Sequence, residues 1–205
     1  MSTWAIVVAG GSGLRFGERK QFLQLGDARV VDWALRAAAA HSEGVVLVVP
    51  ADALRHPEPQ ATVVVAGGAT RSASVRAGLA AVPAAVDLIL VHDAARPVPV
   101  PGVWERVLAA LEAGADAAVP VVPVLDTLRA VAGGTVDRSG FVAVQTPQGF
   151  RASVLRRAHE DEPEASDDVT LVEAAGGRVV IVEGDPANIK VTAPIDLQVA
   201  EVLCR

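Results

Sequence analysis

Glycines at 10, 11, 13 and 17 alternate with Arg15 and Lys20, directly after an apolar run at 4–8. Glycine lets the backbone approach a ligand closely and turn its N–H groups toward it. Peptide N–H groups, a guanidinium and an ammonium together suit a polyphosphate. The stretch therefore reads as a phosphate-cradling loop at the end of a first strand, with a bare glycine turn as the alternative. It is not a P-loop, because Gly17 is followed by Glu18 rather than by Lys-Ser or Lys-Thr. Nor is it a dinucleotide fingerprint: Gly11, Gly13 and Gly17 are spaced one residue too far, and Asp52 lies too far on to read a ribose.

Two further clusters carry chemistry. Gly67-Gly68 precedes Arg71 and Ser74, and His92-Asp93-Ala94-Ala95-Arg96-Pro97 follows another apolar run. Asp93 could cap a turn; beside a triphosphate it is a candidate Mg²⁺ ligand, since Mg²⁺ often takes one or two carboxylates plus substrate phosphates. Arg96 can face the same crevice. His92 reads as a hydrogen-bonded structural histidine. Lysine occurs only at Lys20 and Lys190 in a chain that otherwise uses arginine, which suggests places where a compact ammonium is wanted. No Ser-His-Asp set, Cys-His pair or Cys/His metal spacing stands out.

The elements that must position these residues alternate. Continuous apolar runs at 45–49, 62–66, 88–91, 117–124 and 179–182 read as buried strands. Helical spacing occupies 30–40, 101–113 and 194–203, and helices begin at Arg71 and Ala152. Pro120 and Pro123 suggest an edge or irregular end for the fifth strand. Ser166 is the expected cap of a short helix reaching 175. Residues 145–150 read as a turn. The pattern predicts a three-layer α/β sandwich around a mostly parallel, Rossmann-like sheet, with ligands bound beyond the strands' carboxyl ends. Residues 126–145 break the alternation: Gly133-Gly134 between two short β-like runs predicts a polar hairpin that projects, either as an association element or as an unpartnered surface hairpin.

At 205 residues with 51 % hydrophobic content, the chain suits one domain with a substantial core. A net charge of −6 without a basic run argues against nucleic acid. The absence of an 18-residue apolar stretch and of a charged leader predicts a cytoplasmic protein with no membrane partner. Cys204, the single cysteine, excludes an internal disulfide.

The ordered set of motifs resembles the 2-C-methyl-D-erythritol 4-phosphate cytidylyltransferases of the non-mevalonate isoprenoid pathway. The set comprises Ala9 to Arg15, Lys20-Gln21, Gly67-Gly68 with Arg71 and Ser74, Val91 to Pro97, and Asp126-Thr127. It continues with Gln145 to Gln148, Ser166-Asp167-Asp168, and Asn188-Ile189-Lys190-Val191-Thr192. The resemblance covers nearly the whole chain. It implies a nucleotide-diphospho-sugar transferase type of fold, CTP and methylerythritol phosphate as substrates, Mg²⁺ as cofactor, and a homodimer with exchanged arms. It also implies residue roles. Ala9, Gly10, Gly11, Ser12 and Gly13 hold the nucleotide, with Arg15, Lys20 and Lys190 as catalytic cations. Gly67, Gly68 and Ser74 lie near the cytosine; Asp93 and Ala94 lie by the ribose and Mg²⁺. Arg96, Thr146, Ser166 and Lys190 face the reacting phosphates, and Thr127 and Arg138 reach the neighbouring subunit's site. The chain departs from the family pattern with Arg19 for proline, Ser166 for threonine and a short hairpin. Ribitol phosphate cytidylyltransferases, guanylyltransferases sharing the first loop, and a non-catalytic nucleotide-binding regulator are the rival readings.

Overall fold

Apolar residues alternate in destination along each central strand of the computed structural model, which describes residues 1–10, 19–56 and 58–205. The order begins β1 (Thr3–Val8), a short ribbon of β2 (Gln24–Leu25) and β3 (Ala28–Arg29), α1 (Val30–Ala40), β4 (Gly44–Val49), β5 (Val63–Ala66) and α2 (Arg71–Ala81). There follow β6 (Leu88–Asp93), α3 (Pro101–Glu112), β7 (Ala117–Pro123), the hairpin of β8 (Leu128–Arg129) and β9 (Thr135–Val136), and β10 (Val142–Val144). The chain closes with β11 (Gln148–Arg151), α4 (Ala152–Ala158), α5 (Asp168–Ala174), β12 (Val179–Glu183) and α6 (Pro194–Leu203).

Ile6, Val46, Val48, Ile89 and Val91 pack on one face of the sheet with Val75 and Leu79 of α2 and Leu155 of α4. Their neighbours Ala5, Val7, Leu47, Leu88 and Leu90 pack on the other face with Leu35 of α1 and Trp104 and Val107 of α3. The period of two thus buries both faces, and three layers result. Among the described residues, β1 lies parallel between β4 and β6, and β5 extends the sheet beyond β4. The sheet is mostly parallel, as the pattern predicts.

Three local expectations are corrected. Residues 148–151 are not turn but strand: β11 runs antiparallel between β6 and β7. A side chain at Gly149 would put its Cβ 2.4 Å from Val107 Cγ1, so glycine there admits α3 onto the strand. β7 is no edge strand, for β12 pairs it on one side and β10 and β11 on the other. Pro120 is tolerated because its backbone faces the break between β10 and β11, where its carbonyl accepts the Gln145 N–H at 2.8 Å. The cap of α5 is Asp167 rather than Ser166: its carboxylate reaches both the N–H (3.0 Å) and the hydroxyl (2.6 Å) of Thr170.

The hairpin is present. Leu128 pairs with Val136 and Arg129 with Thr135, and Gly133 and Gly134 turn it with φ of 108° and 87°. Residues 142–144, at the end of the span expected to project, belong instead to the main sheet as β10. No helix among the described residues is long and apolar enough to cross a membrane.

Candidate active site

The carboxyl ends of β1, β5 and β6 place the predicted residues along one rim of the sheet. Backbone bonds fix the loops there: Ala9 N–H to Val48 O, Gly67 N–H to Val49 O and Ala94 N–H to Val8 O. Ser74, in the first turns of α2, lies between two of these ends. A Cβ at Gly67 would come 2.8 Å from its Oγ, so something would have to shift to admit a side chain there, and one at Gly10 would come within 3.3 Å of the same oxygen. The Ser74 hydroxyl donates to the Thr70 carbonyl at 2.8 Å. Gln21, buried, donates to the Ala9 carbonyl at 2.6 Å and ties the Lys20–Phe22 turn to the end of β1. Arg19 pairs with Asp52 at 2.9 Å. Burial by itself would raise the Asp196 carboxyl, but the N–H groups of Thr192 and Ala193, the Thr192 hydroxyl and, last, the charge of Lys20 bring it down. Gly11, Ser12, Gly13 and Arg15 lie outside the described residues.

Asp93 is the electrostatic centre. Its Oδ2 accepts from Lys190 Nζ at 2.7 Å, and its Oδ1 lies 3.8 Å from Arg71 Nε. Burial by itself would raise this carboxyl, but the Lys190 ammonium and then the Arg71 guanidinium outweigh it and bring it down to about 2. Lys190 reaches it because its loop is pinned: Val191 N–H bonds Ala95 O at 2.8 Å, and Asp196 accepts from Thr192 N–H at 2.7 Å. Arg71 also donates to the fully buried Asp168 at 2.7 Å, and the other Asp168 oxygen meets His159 Nε2 at 3.1 Å. Lys190, Asp93, Arg71, Asp168 and His159 therefore form one chain of charged and polar groups.

The structure brings Asp93, Ala94, Arg96, Thr146 and Lys190 together, with Gly10, Gly67, Gly68 and Ser74 alongside. Arg96 turns back to brace the rim, donating to Asn188 O at 2.6 Å and Val144 O at 3.2 Å. Thr146 is buried against His92. Ser166, Thr127 and Arg138 are exposed, and none is hydrogen-bonded or ion-paired to the Asp93 cluster among the described residues. The Arg138 guanidinium instead meets the Leu125 carbonyl within its own segment. Arg71 and Asp168 stand in the quoted motifs, but the sequence alone assigns neither a role. One signal was present: Arg71 opens a helix, where a cation opposes the macrodipole and calls for carboxylate partners.

Glycine-lined strand ends beside two cations and an ionised carboxylate define an α/β protein of the nucleotidyltransferase type. The family model described as "IspD: 2-C-methyl-D-erythritol 4-phosphate cytidylyltransferase" matches residues 3–205. The relative of that name from Nocardia farcinica is 44 % identical, over 98 % of this chain and 94 % of its own length. The one from Thermus thermophilus is 44 % identical, over 100 % of this chain and 98 % of its own. The crystal structure of the cytidylyltransferase from Thermus thermophilus superposes with a TM-score of 0.87 at 42 % identity, covering both chains fully. The chain belongs to the 2-C-methyl-D-erythritol 4-phosphate cytidylyltransferase family.

Proposed function

We propose that the chain carries out the reaction its family is named for: CTP and 2-C-methyl-D-erythritol 4-phosphate give the 4-diphosphocytidyl alcohol and pyrophosphate. The observation that carries this reading is the Lys190–Asp93–Arg71 cluster beside the close-packed Gly10, Gly67 and Ser74. A phosphate oxygen of the polyol phosphate bonds to the α-phosphorus of CTP, and the bond from that phosphorus to the β-phosphate oxygen breaks. The attacking phosphate is already largely ionised at pH 7, so no general base is required. Catalysis consists of holding two anions together and stabilising charge as pyrophosphate leaves. Arg15 and Lys20 serve the triphosphate; Lys190, with Arg96 and Ser166, serves the polyol phosphate side. Gly67, Gly68 and Ser74 would meet the base, largely through backbone groups, which suits a pyrimidine.

Asp93 fits Mg²⁺. It is ionised, and among the described residues its Oδ1 has only the looser, 3.8 Å ion-pair contact. Among the described residues no group of three His, Cys, Asp or Glu side chains is placed to hold a metal, which suits an ion that arrives with the triphosphate. When bound, Mg²⁺ supplies charge neutralisation on the phosphates.

The arm is assigned to a homodimer. Leu125, Val131, Phe141, Val142 and Val144 are exposed apolar residues along it and the adjoining edge, and Ile181 is exposed on β12. Arg138 on this segment would grip the polyol phosphate in the partner's site. Complementation tests this. Arg138→Ala and Lys20→Met, each nearly inactive, should regain roughly a quarter of wild-type activity when refolded together, because about half the dimers are mixed and each mixed dimer has one intact site. No recovery in confirmed mixed dimers would defeat the shared site. The reaction is tested by pyrophosphate release with CTP, GTP and ATP against methylerythritol phosphate and ribitol phosphate. CTP with methylerythritol phosphate should dominate; comparable turnover with GTP or ribitol phosphate would refute the assignment.

A further inference from the structure

Gln145, buried at the β10–β11 junction, turns its side-chain amide onto one segment of the chain, the turn at 185–188 that leads into Lys190. Its Nε2 donates to the Asp185 carbonyl at 2.8 Å, and its Oε1 accepts the Asp185 N–H at 3.1 Å. That is the two-way exchange by which one strand residue holds another, made here by a side chain. Asn188, fully buried, completes the arrangement: its Nδ2 donates to the same Oε1 at 3.3 Å and to the Thr146 carbonyl at 2.9 Å. Both lone pairs of Oε1 are thereby used. Within the turn, the Asp185 carbonyl accepts the Asn188 N–H at 2.9 Å, and the Asp185 carboxylate accepts the Ala187 N–H at 2.8 Å. The fit is close. A Cβ at Gly184 would come 2.5 Å from Gln145 Oε1, so a side chain there would push the amide away.

Other contacts fix the flanks of the turn. Arg106 Nε donates to the Glu183 carbonyl at 2.7 Å before it, and the Val191 N–H bonds Ala95 O at 2.8 Å after it. Lys190 lies between the turn and that second pin. Its side chain is 44 % exposed and reaches Asp93 at 2.7 Å. A flexible four-carbon stem with its head in water is aimed chiefly by where its backbone is held. A catalytic group misplaced by about 1 Å can cost on the order of 10²-fold in rate. Arg96 also grips the Asn188 carbonyl, at 2.6 Å, so losing Gln145 loosens the turn without freeing it.

We propose that Gln145 is a positioning residue for cytidylyl transfer: its amide clamps the 185–188 turn and thereby aims Lys190. The proposal rests on the reaction assigned above and on the part Lys190 has in it. Gln145→Met keeps the length of the side chain and removes these bonds. With Lys190 present it should lower kcat/KM for the polyol phosphate about tenfold; in Lys190→Ala, where no ammonium is left to aim, it should cost less than about twofold. A tenfold loss in both backgrounds would make Gln145 a general support, and no loss with Lys190 present would remove it from the site; either result overturns the proposal. A second readout needs no turnover. With lysine carbon-13-labelled at Cε, the two lysines of the chain give two NMR signals. In Gln145→Met the Lys190 signal should move and the Lys20 signal should stay; an unmoved Lys190 signal also overturns the proposal. If Gln145→Met does not fold, hydrogen exchange in the unsubstituted protein decides. The Asp185 N–H should exchange at least about 100-fold more slowly than in the unfolded chain, and unprotected exchange there would mean that no clamp exists. A wild type inactive with both substrates would defeat the assigned reaction instead, and the lysine signals and the exchange would still judge the clamp.

Discussion

Replacing Asp168 by Asn should destabilise the protein more than replacing Asp168 and Arg71 together. Asp168 has no exposed side-chain surface and takes the Arg71 guanidinium at 2.7 Å. Neutralising it leaves Arg71 with Asp93 at 3.8 Å and the weaker field of Asp167 as counter-charges, and Asp93 is already shared with Lys190. Removing one partner of a buried pair costs about 3–5 kcal/mol. The Arg71 side chain keeps 24 % of its exposure, which lets water screen it and places the cost near the bottom of that range, about 3 kcal/mol. For a chain of this size that is a fall in Tm of about 6–12 °C. In Asp168→Asn/Arg71→Met neither charge remains, and replacing a whole buried pair by neutral groups is often close to neutral, so the double variant should recover most of the loss. Urea unfolding at pH 7 with an unchanged m-value measures both. A single-variant loss below about 1 kcal/mol, or losses that add in the double variant, would refute the view that Asp168 compensates Arg71.

Stability should also fall on acidification because His92 is buried neutral. Its pKa drops from 6.5 to about 4 on folding, so between those values the unfolded chain binds a proton that the folded chain refuses. His92 therefore costs nothing above pH 6.5 and about 3 kcal/mol by pH 4, and His92→Gln should flatten that fall in urea unfolding across the range. Asp93 acts in a lower window. Its carboxyl is depressed from 3.8 to about 2, so its contribution is full above pH 3.8 and is lost only as pH falls toward 2, which acid titration of Asp93→Asn against wild type will show. Lys20→Met and Lys190→Ala should each cost about 2.7–4 kcal/mol in kcat/KM with the fold retained by circular dichroism, whereas Arg129→Ala should change little.

Local signals sufficed wherever the sequence itself carried the constraint. Continuous β-branched runs at 45–49 and 62–66, and prolines at the first positions of α3 and α6, placed those elements to within a residue or two. β11 was not legible, because Gln148-Gly149 has no strand character; the glycine answers to Val107 and Leu111 on a helix some forty residues earlier. Ser166 and Asp167 are both good caps, and only reach to Thr170 decides between them. Asp93 and Lys190 could be chosen by type, since each stands in a motif near a strand end. The partners of Arg71 could not, for Arg71 and Asp168 are 97 positions apart and join only once α2 and α5 have packed. Thr146 and His92, 54 positions apart, likewise meet only in the folded sheet.

The central claim is that the polyol's own phosphate attacks CTP while the protein supplies position and charge. Oxygen-18 placed in the non-bridging oxygens of 2-C-methyl-D-erythritol 4-phosphate, followed by phosphorus-31 NMR of the products, tests this directly. All of the label should remain in the 4-diphosphocytidyl alcohol, part of it in the new bridge between the phosphates, and the pyrophosphate should be unlabelled. Label in the pyrophosphate, or release of CMP in place of the diphosphocytidyl alcohol, would contradict it.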